Sequence, residues 1–438
     1  MRREGRMLRS MGVLLLVVSS VLVSILQAAV PAAELAALQD LYDTTGGDSW
    51  VNNDLWMTGD PCEGNWVGVY CNDDNSTVTG LFLIRNGLSG YIPNSIGNLS
   101  QVTELSMGGN SIGATIPVNV GSMTMLEVFY LGENQLEGSL PSELGLLVSL
   151  QELELGDNSL GGTIPGEITN LGQLRYLWVY RNSLEGSIPA DVGGLTSLES
   201  MLLYENKLTG TIPDLSGLTL LTDLYLDNNQ LTGSIPDLLP PALEKLLLHN
   251  NGLSGSIPKN IGDITEIESL YLYNNSLSGT IPDGVGKLDE LEKFIAFGNE
   301  FTGSIPSTFY DLTRLETLAL NHNQLTGTIA FVGSMFSLSK LYLQNNALSG
   351  TIPETMTRVS RLQELDLSNN QFTGSIPTYG LRDVFPLRTL YLSNNALDGT
   401  VPDFVCQVNS LDLRNNAFSC PLPTCCSSEG TGLCEPCS

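Results

Sequence analysis

One short motif returns along most of the chain at an almost constant interval. An asparagine opens Asn-x-Leu-x-Gly-x-Ile-Pro, in whole or in part, at fifteen positions, which lie 21 to 25 residues apart and most often 24. These positions are Asn86, Asn110, Asn134, Asn158, Asn182, Asn206, Asn229, Asn251, Asn275, Asn299, Asn323, Asn346, Asn370, Asn395 and Asn416. A unit this short cannot bury its apolar face alone, so neighbouring units must stack into one core. We therefore expect a stack of coils, although 438 residues would otherwise suggest two or three separate domains.

The coil LYLYNNSLSGTIP shows how each position is used. Leu270 and Leu272 are two residues apart, so both point to the same side of a short strand and pack on the next coil. Asn275 is predicted to turn inward and satisfy backbone groups that have no strand partner. Gly279 permits a tight turn, and Pro282 stops the backbone ladder. A partly helical segment such as GVGKLDE then leads to the next strand.

The full unit, L-x-x-L-x-L-x-x-N-x-L-x-G-x-I-P, resembles the leucine-rich repeat. The G-x-I-P element and the 24-residue period resemble its plant-type extracellular subclass, and the resemblance extends from Leu81 to about Pro421. It implies an α/β solenoid: a right-handed superhelix of about 15 coils, with a parallel concave sheet and disulfide caps at both ends. It also implies recognition in signalling, defence or cell-wall contexts, as in receptor-like ectodomains and polygalacturonase-inhibiting proteins.

The first 30 residues are expected to be a targeting segment outside the fold. Four arginines and one acid precede an apolar run from Met11 to Leu26, and the small residues of QAAVPAA follow. This order is typical of a secretory signal peptide cleaved after Ala28 or Ala32. An uncleaved signal anchor is the alternative, because the run is near the lower length limit for a membrane span. Both interpretations place the rest of the chain outside the cytosol.

All eight cysteines lie near the two ends of the chain, where a stack of coils needs caps. In an exported protein their even number predicts disulfides, and Cys62 with Cys71 is the expected N-terminal pair. The other six allow 15 pairings, and a zinc site is the alternative. They are Cys406, Cys420, Cys425, Cys426, Cys434 and Cys437. We assign residues 31–80 to the N-terminal cap, 81–404 to the repeats, and 405–438 to the last repeat and the C-terminal cap.

Charge and motif content exclude several classes of function. The formal net charge of −28 disfavours nucleic-acid binding, which requires a basic surface. Only two histidines occur, and His249 is interpreted as an exposed polar strand residue, because no nucleophile is placed beside it. Glu152 and Glu154 are interpreted as part of a solvated acidic face. We therefore predict no enzyme activity, no cofactor and no metal site.

The positions that flank the buried leucines point out of the predicted concave sheet, and aromatic residues concentrate there in the middle repeats. Exposed aromatic patches are typical of binding surfaces, although aromatic residues also favour strands for structural reasons. We predict that these side chains stack into one ligand-binding patch. They are Tyr176, Trp178, Tyr180, Tyr204, Tyr225, Tyr271, Tyr273 and Phe297.

Three sequons predict N-glycosylation at Asn75, Asn98 and Asn274. The serine or threonine before the Ile-Pro pairs is evenly spaced; ice binding is a remote alternative, because turn chemistry in this repeat class is enough to explain these residues. Together these features predict a secreted, non-catalytic protein that binds a protein, peptide or glycan ligand through its concave face. The alternatives are a membrane-anchored receptor-like protein and an inhibitor of a secreted hydrolase. No nucleic-acid partner is expected, and a membrane is a partner only if the N-terminal segment is uncleaved.

Overall fold

The computed structural model describes residues 29–377 and 387–427, and it divides after Ser159 into two compact units. The predicted signal segment, including Met11–Leu26, lies almost wholly outside the described residues, as do Cys434 and Cys437.

The first unit begins with an aromatic N-terminal cap. A helix runs from Ala32–Thr44 after Pro31, and a 3-10 turn follows at Gly47–Ser49. Three tryptophans then pack in sequence, with centroid distances of 4.8 Å between Trp50 and Trp56 and 5.0 Å between Trp56 and Trp66. These packed rings supply the apolar surface that seals the end of the repeat core.

A disulfide fixes the end of this cap. Cys62 and Cys71 are bonded, with their Cα atoms 5.8 Å apart, so the predicted pair is confirmed. Strand Val69–Cys71 pairs antiparallel with Val78–Phe82 and thereby covers the edge of the first parallel strand. This antiparallel strand protects the sheet edge from pairing with another chain.

The main sheet is built from one three- to five-residue strand per coil. In the first unit its strands are Val69–Cys71, Val78–Phe82, Glu104–Ser106, Val128–Tyr130 and Glu152–Glu154. In the second unit they are Tyr176–Trp178, Ser200–Leu202, Asp223–Tyr225, Lys245–Leu247, Ser269–Tyr271, Lys293–Ile295, Thr317–Ala319, Lys340–Tyr342, Glu364–Asp366, Thr389–Tyr391 and Ser410–Asp412. The described residues therefore contribute four parallel strands in the first unit and eleven in the second, which matches the fifteen predicted coils.

The strands of the main sheet pair in register, so equivalent residues of successive coils form rows. In the second unit Leu246 pairs with Leu270, which pairs with Phe294, and all three side chains are buried. The two residues that flank each of these point away from the core, where they are half-buried. The fold thus presents the variable side chains of each coil in parallel rows about 4.8 Å apart.

A second set of short strands follows fourteen of the fifteen asparagines, Asn86 to Asn395, and the sequence prediction did not include it. In the second unit two pair at Glu185–Ser187 and Lys207–Thr209, and eight form one sheet. The eight are Thr232–Gly233, Gly252–Gly255, Ser276–Thr280, Glu300–Ser304, Gln324–Gly327, Ala347–Thr351, Gln371–Gly374 and Ala396–Leu397. The remaining strands are Ser89–Tyr91, Ser111–Gly113, Glu137–Ser139 and Ser159–Gly161. Gly279 adopts φ +75° within this strand, a conformation that favours glycine.

The predicted partly helical segments are 3-10 turns, most of which begin directly after the proline of the motif. They are Asn94–Asn98, Val118–Ser122, Ser142–Leu146, Gly166–Asn170, Ala190–Gly194, Lys259–Asp263, Asp283–Lys287, Ser307–Asp311, Ala330–Ser334, Glu354–Arg358 and Asp403–Gln407. Proline suits this place because its fixed φ fits the extended backbone before the turn, as at Pro282 with φ −74°, and its missing N–H ends the strand ladder.

Inward-pointing asparagines join neighbouring coils, as predicted. Asn275 Nδ2 donates to the carbonyl oxygens of Leu248 at 3.0 Å and Leu272 at 3.1 Å. Its Oδ1 accepts from the backbone N–H of Leu253 at 3.0 Å. The amide therefore satisfies donors and acceptors of two successive coils at the point where the chain leaves the main sheet.

The C-terminal cap is a disulfide structure as far as it is described. Cys406 and Cys425 are bonded, with Cα atoms 5.5 Å apart, and a short helix runs from Thr424–Ser427. Cys420 and Cys426 each take part in a disulfide as well. The disulfide interpretation is thus confirmed for these four cysteines, in place of the zinc alternative.

Candidate ligand-binding surface

All eight predicted aromatic residues lie on the main sheet of the second unit, and all are half-buried. The register places them in three rows, which lie six, four and two residues before the inward asparagine. We call these eight side chains the aromatic surface. The rings are therefore packed against neighbouring side chains and still reach solvent.

The first group of rings spans three coils. Tyr180 and Tyr204 are stacked face to face, with centroids 4.8 Å apart and planes 4° apart. Tyr204 and Tyr225 are tilted at 6.2 Å, and Tyr176 and Trp178 are tilted at 5.3 Å. Such contacts are worth about 0.5–1.5 kcal/mol beyond area burial, so the group is preorganised.

The second group is formed by Tyr271, Tyr273 and Phe297. Tyr273 and Phe297 are stacked at 4.5 Å, and Tyr271 lies 6.4 Å from Tyr273. Within the described residues no ring contact joins Tyr225 to Tyr271, and Leu247 lies between them in the same row. The structure therefore places an aliphatic residue between two groups of rings, where the sequence predicted one continuous patch.

Charged residues beside the rings are paired across neighbouring coils. Arg175 binds Glu199 through Nε at 2.8 Å and through a second nitrogen at 3.0 Å, and the Tyr176 hydroxyl donates to the same carboxylate at 3.0 Å. These contacts, led by the Arg175 hydrogen bonds, hold the pKa of Glu199 below its usual range. The carboxylate thus stays ionised and fixes the outer edge of the first group.

Two further pairs follow along the same face. Arg181 lies 3.3 Å from Glu205, and Lys245 lies 3.2 Å from Asp223. Lys293 makes no ion pair among the described residues. Each exposed pair contributes about 0–1 kcal/mol to stability. Their main effect is to offset the exposed charges of Arg181, Glu205, Lys245 and Asp223 beside the aromatic surface.

A buried polar pair lies between the two aromatic groups, and sequence reasoning missed it. His249 Nε2 is 3.3 Å from Asp227 Oδ2, and both side chains are less than a tenth exposed. The prediction that His249 is an exposed polar residue is wrong, because Tyr273 stacks on its ring with centroids 4.2 Å apart. Among the described atoms, His249 Nδ1 is buried without a hydrogen-bond partner.

Burial shifts both groups of this pair. It raises the pKa of Asp227 to about 6 and lowers the pKa of His249 to about 4, since each charged form loses hydration. Asn228 Nδ2 donates to Asp227 Oδ2 at 2.7 Å, which opposes the rise at Asp227. Both shifts favour the uncharged form of the group.

A row of asparagine side chains starts at this pair. Asn250 Nδ2 donates to Asn228 Oδ1 at 2.8 Å, and Asn274 Nδ2 donates to Asn250 Oδ1 at 2.8 Å. Each residue of the row has φ between 52° and 53°, in the left-handed region that asparagine tolerates better than most residues. The Asn-Asn pairs of the sequence were a usable signal: the first asparagine takes the left-handed position and the second turns inward.

The remaining predicted positions are placed as follows. Asn98 and Asn274 are exposed and Asn75 is half-buried, so a glycan at Asn274 would stand beside the aromatic surface. His322 is exposed, and its Nε2 lies 3.2 Å from Asn345 Nδ2. In the described ranges no group of three or more potential ligand residues is close enough to hold a metal ion. Within those ranges there is also no apolar helix of membrane-spanning length.

Comparison with known proteins identifies the family. Two leucine-rich-repeat models match, one at residues 336–397 and the other at 149–171, 173–195, 220–241, 242–264 and 266–288. A solved TDR receptor is 30% identical and superposes with a TM-score of 0.65 over 78% of this chain and 69% of that chain. The chain belongs to the leucine-rich-repeat family. The predicted solenoid fold is thereby confirmed.

Plant receptors are among the other proteins to which this leucine-rich-repeat protein is similar. The plant peptide hormone receptor RGFR1, solved in complex with RGF2, is 32% identical with a TM-score of 0.70, over 79% of this chain and 61% of that chain. The receptor-like protein kinase HSL1 of Arabidopsis thaliana is 38% identical over 79 residues. That match spans 18% of this chain and 7% of the kinase. The resemblance to plant receptor ectodomains, expected from the motif, is confirmed.

Proposed function

We propose that this protein is a non-catalytic recognition protein that binds a peptide segment on the aromatic surface. The observation that carries the proposal is the set of eight half-buried rings on one face of the main sheet, among charges that are largely paired with each other. Apolar, preorganised side chains of this kind dominate binding energy at protein interfaces. The structural relative solved with RGF2 is described as a peptide hormone receptor, which supports the same ligand class.

The orientation of the rings favours a peptide over a glycan. A sugar stacks on the open face of an aromatic ring, whereas the faces of Tyr180 and Tyr204 lie against each other. Tyr273 has Phe297 at 4.5 Å and His249 at 4.2 Å, both nearly parallel to it. These stacks use ring faces for internal contact and leave edges and hydroxyls for the ligand. Edges and hydroxyls suit the apolar side chains and backbone amides of a peptide.

We further propose that the protein acts outside the cytosol, after cleavage of the N-terminal segment, in signalling or defence. The basic and apolar N-terminal sequence, the disulfides and the relationship to plant receptors support this placement. N-terminal sequencing of the exported protein distinguishes the cleaved form from an anchored one. Inhibition assays against wall hydrolases distinguish an inhibitor from a peptide receptor.

Selection from a phage-displayed library of random peptides tests the binding proposal. The test variant combines Trp178→Ala, Tyr271→Ala and Tyr273→Ala. Its matched control is Tyr310→Ala with Phe336→Ala, because these rings are 54% and 52% exposed in the same unit but outside the aromatic surface.

We expect peptides enriched on the unmodified protein to bind the control with unchanged affinity and to lose at least about tenfold on the triple variant, since interface rings are typical hot spots. Enriched peptides that bind the triple variant as tightly as the control would refute the proposed site. Circular dichroism of the three proteins verifies that the ring truncations leave the fold intact.

A further inference from the structure

We propose that Asp227 and His249 form a proton-operated charge switch at the centre of the aromatic surface, which sets the charge of the ligand that the surface accepts. At neutral pH the pair carries one buried negative charge, and in mildly acidic solution it carries none. The inference deepens the proposed function and rests on it for the consequence on ligands. The titration itself is a property of the free protein.

Asp227 and His249 are buried close enough together that protonation of either one changes the charge of the pair. Asp227 Oδ2 and His249 Nε2 are 3.3 Å apart with side chains 8% and 9% exposed. A proton placed on either group neutralises the pair or makes it a zwitterion, so the first protonation removes the net negative charge in both cases. Burial raises the pKa of Asp227 to about 6 and lowers that of His249 to about 4, so the pair takes up its first proton in mildly acidic solution.

No neighbouring ion cancels this charge directly. Asp227 is hydrogen-bonded to the neutral amide of Asn228 at 2.7 Å, while Lys245 is committed to Asp223. The other titratable groups that surround the pair are Glu205 of the preceding coil, which is paired with Arg181, and the hydroxyls of Tyr225, Tyr271 and Tyr273. Uptake of a proton therefore changes the electrostatic potential at the junction of the two aromatic groups.

Contact with Tyr273 passes this change to the ligand surface. The Tyr273 ring lies 4.2 Å from the His249 ring and stacks on Phe297 on its other side. Burial raises the pKa of the Tyr273 hydroxyl, and the negative charge of the Asp227 carboxylate raises it further. The two groups therefore interact electrostatically. His249 Nδ1, buried and without a partner among the described atoms, is a donor or acceptor whose state changes with the proton.

Nuclear magnetic resonance of His322→Gln protein tests the switch without any ligand. Only two histidines occur in the chain, so this variant leaves His249 as the sole imidazole signal. We expect the imidazole signal to shift in two steps, near pH 6 and near pH 4, and the Tyr273 ring signal to follow the first step. Tyr273→Phe assigns the tyrosine signal.

Replacement of the acid provides the second readout. In Asp227→Asn the step near pH 6 should disappear from both signals, because the amide cannot take up a proton. A single His249 step at its ordinary pKa of 6.5, or a Tyr273 signal that is constant through the first step, would overturn the proposal. Since the first measurement uses the intact pair, the result does not depend on the Asp227→Asn variant folding.

Ligand preference is measured with one phage-selected peptide synthesised in two forms, with Asp or Lys at the same position. Between pH 5 and pH 7.5 the ratio of their affinities should change by about threefold to tenfold in favour of the Lys form at the higher pH, as one partly screened charge requires. The change should be absent in Asp227→Asn. An affinity ratio of the two peptides that is constant with pH refutes the switch, while the proposal of peptide binding stands. Failure to select any peptide refutes the proposed function. In that case the resonance titration still decides whether the Asp227–His249 pair takes up the proton.

Discussion

The inward asparagine is expected to hold each coil to the next, and Asn370 allows a clean test because the exposed Asn369 precedes it. Asn370 Nδ2 donates to the carbonyl oxygens of Leu343 at 2.9 Å and Leu367 at 3.2 Å. Its Oδ1 accepts from the backbone N–H of Leu348 at 3.0 Å. Asn369 instead contacts other side chains at the surface. Neither residue belongs to a sequon, so their substitution changes no predicted glycan.

The loss of unfolding free energy in Asn370→Ala depends on which backbone groups lose their only hydrogen-bond partner. The carbonyl of Leu343 still accepts from Asn346, and the carbonyl of Leu367 still accepts from Asn395. Only the N–H of Leu348, whose residue is fully buried, loses its acceptor. An orphaned buried donor costs about 1–3 kcal/mol, and the weakened carbonyls add about 0.5 kcal/mol each, so the expected loss is about 2–4 kcal/mol.

Asn369 is the matched control for this loss. Its φ of 54° lies in the left-handed region, so Asn369→Gly should change the free energy of unfolding by less than about 0.5 kcal/mol. Asn369→Ala should cost about 1 kcal/mol through backbone strain alone.

Urea unfolding followed by circular dichroism ranks the three variants, and hydrogen exchange at the Leu348 amide reports the local effect. An Asn370→Ala protein that is no less stable than Asn369→Ala, or that keeps the Leu348 amide protected, would refute the role of the inward asparagine.

Three further outcomes are expected. Leu270→Ala should lower the free energy of unfolding by about 2–5 kcal/mol in urea titrations, because the side chain is fully buried. Since burial raises the folded-state pKa of Asp227 from 3.8 to about 6, its contribution is fully present below pH 3.8 and lost as pH rises through 6. The difference in unfolding free energy between the unmodified protein and Asp227→Asn should then fall by up to about 3 kcal/mol between acid and neutral pH. Affinity for a neutral phage-selected peptide should change less than about threefold from low to high salt, because charges beside the rings are paired.

The inward-facing residues of each coil were predictable from the sequence, because their orientation depends on residues within one coil. Leu270, Leu272 and Asn275 face inward as expected, since strand alternation and the turn act over a few residues and repeat fifteen times. The second sheet was missed for a physical reason. Gly279 stands at φ +75° inside a strand, whereas sequence reasoning used glycine and proline only as turn signals.

The candidate surface was predictable in position but not in detail. Strand alternation places Tyr271 and Tyr273 on the outer face, and the structure agrees. The burial of His249 depends on Asp227 and Tyr273, which belong to the neighbouring coils and lie 22 and 24 residues away in the sequence. The sequence of one coil cannot show this burial, because it does not reveal which large side chains of the neighbouring coils cover a polar residue.

Inward-facing residues stabilise this fold, and outward-facing residues of the main sheet are available to a ligand. This division explains how such a fold can change ligands without losing stability. Every coil can supply the inward leucines and asparagine. An outward ring such as Tyr225 therefore stabilises the fold only through its own contacts, such as that with Tyr204. The Asp227–His249 pair breaks this separation, because it occupies outward positions and is nevertheless buried. A substitution there changes folding energy and ligand preference together. That coupling is why this pair, and not an exposed ring, should show a pH dependence in both stability and binding. Binding should change near pH 6, whereas stability should fall progressively from pH 3.8 until the pH passes 6.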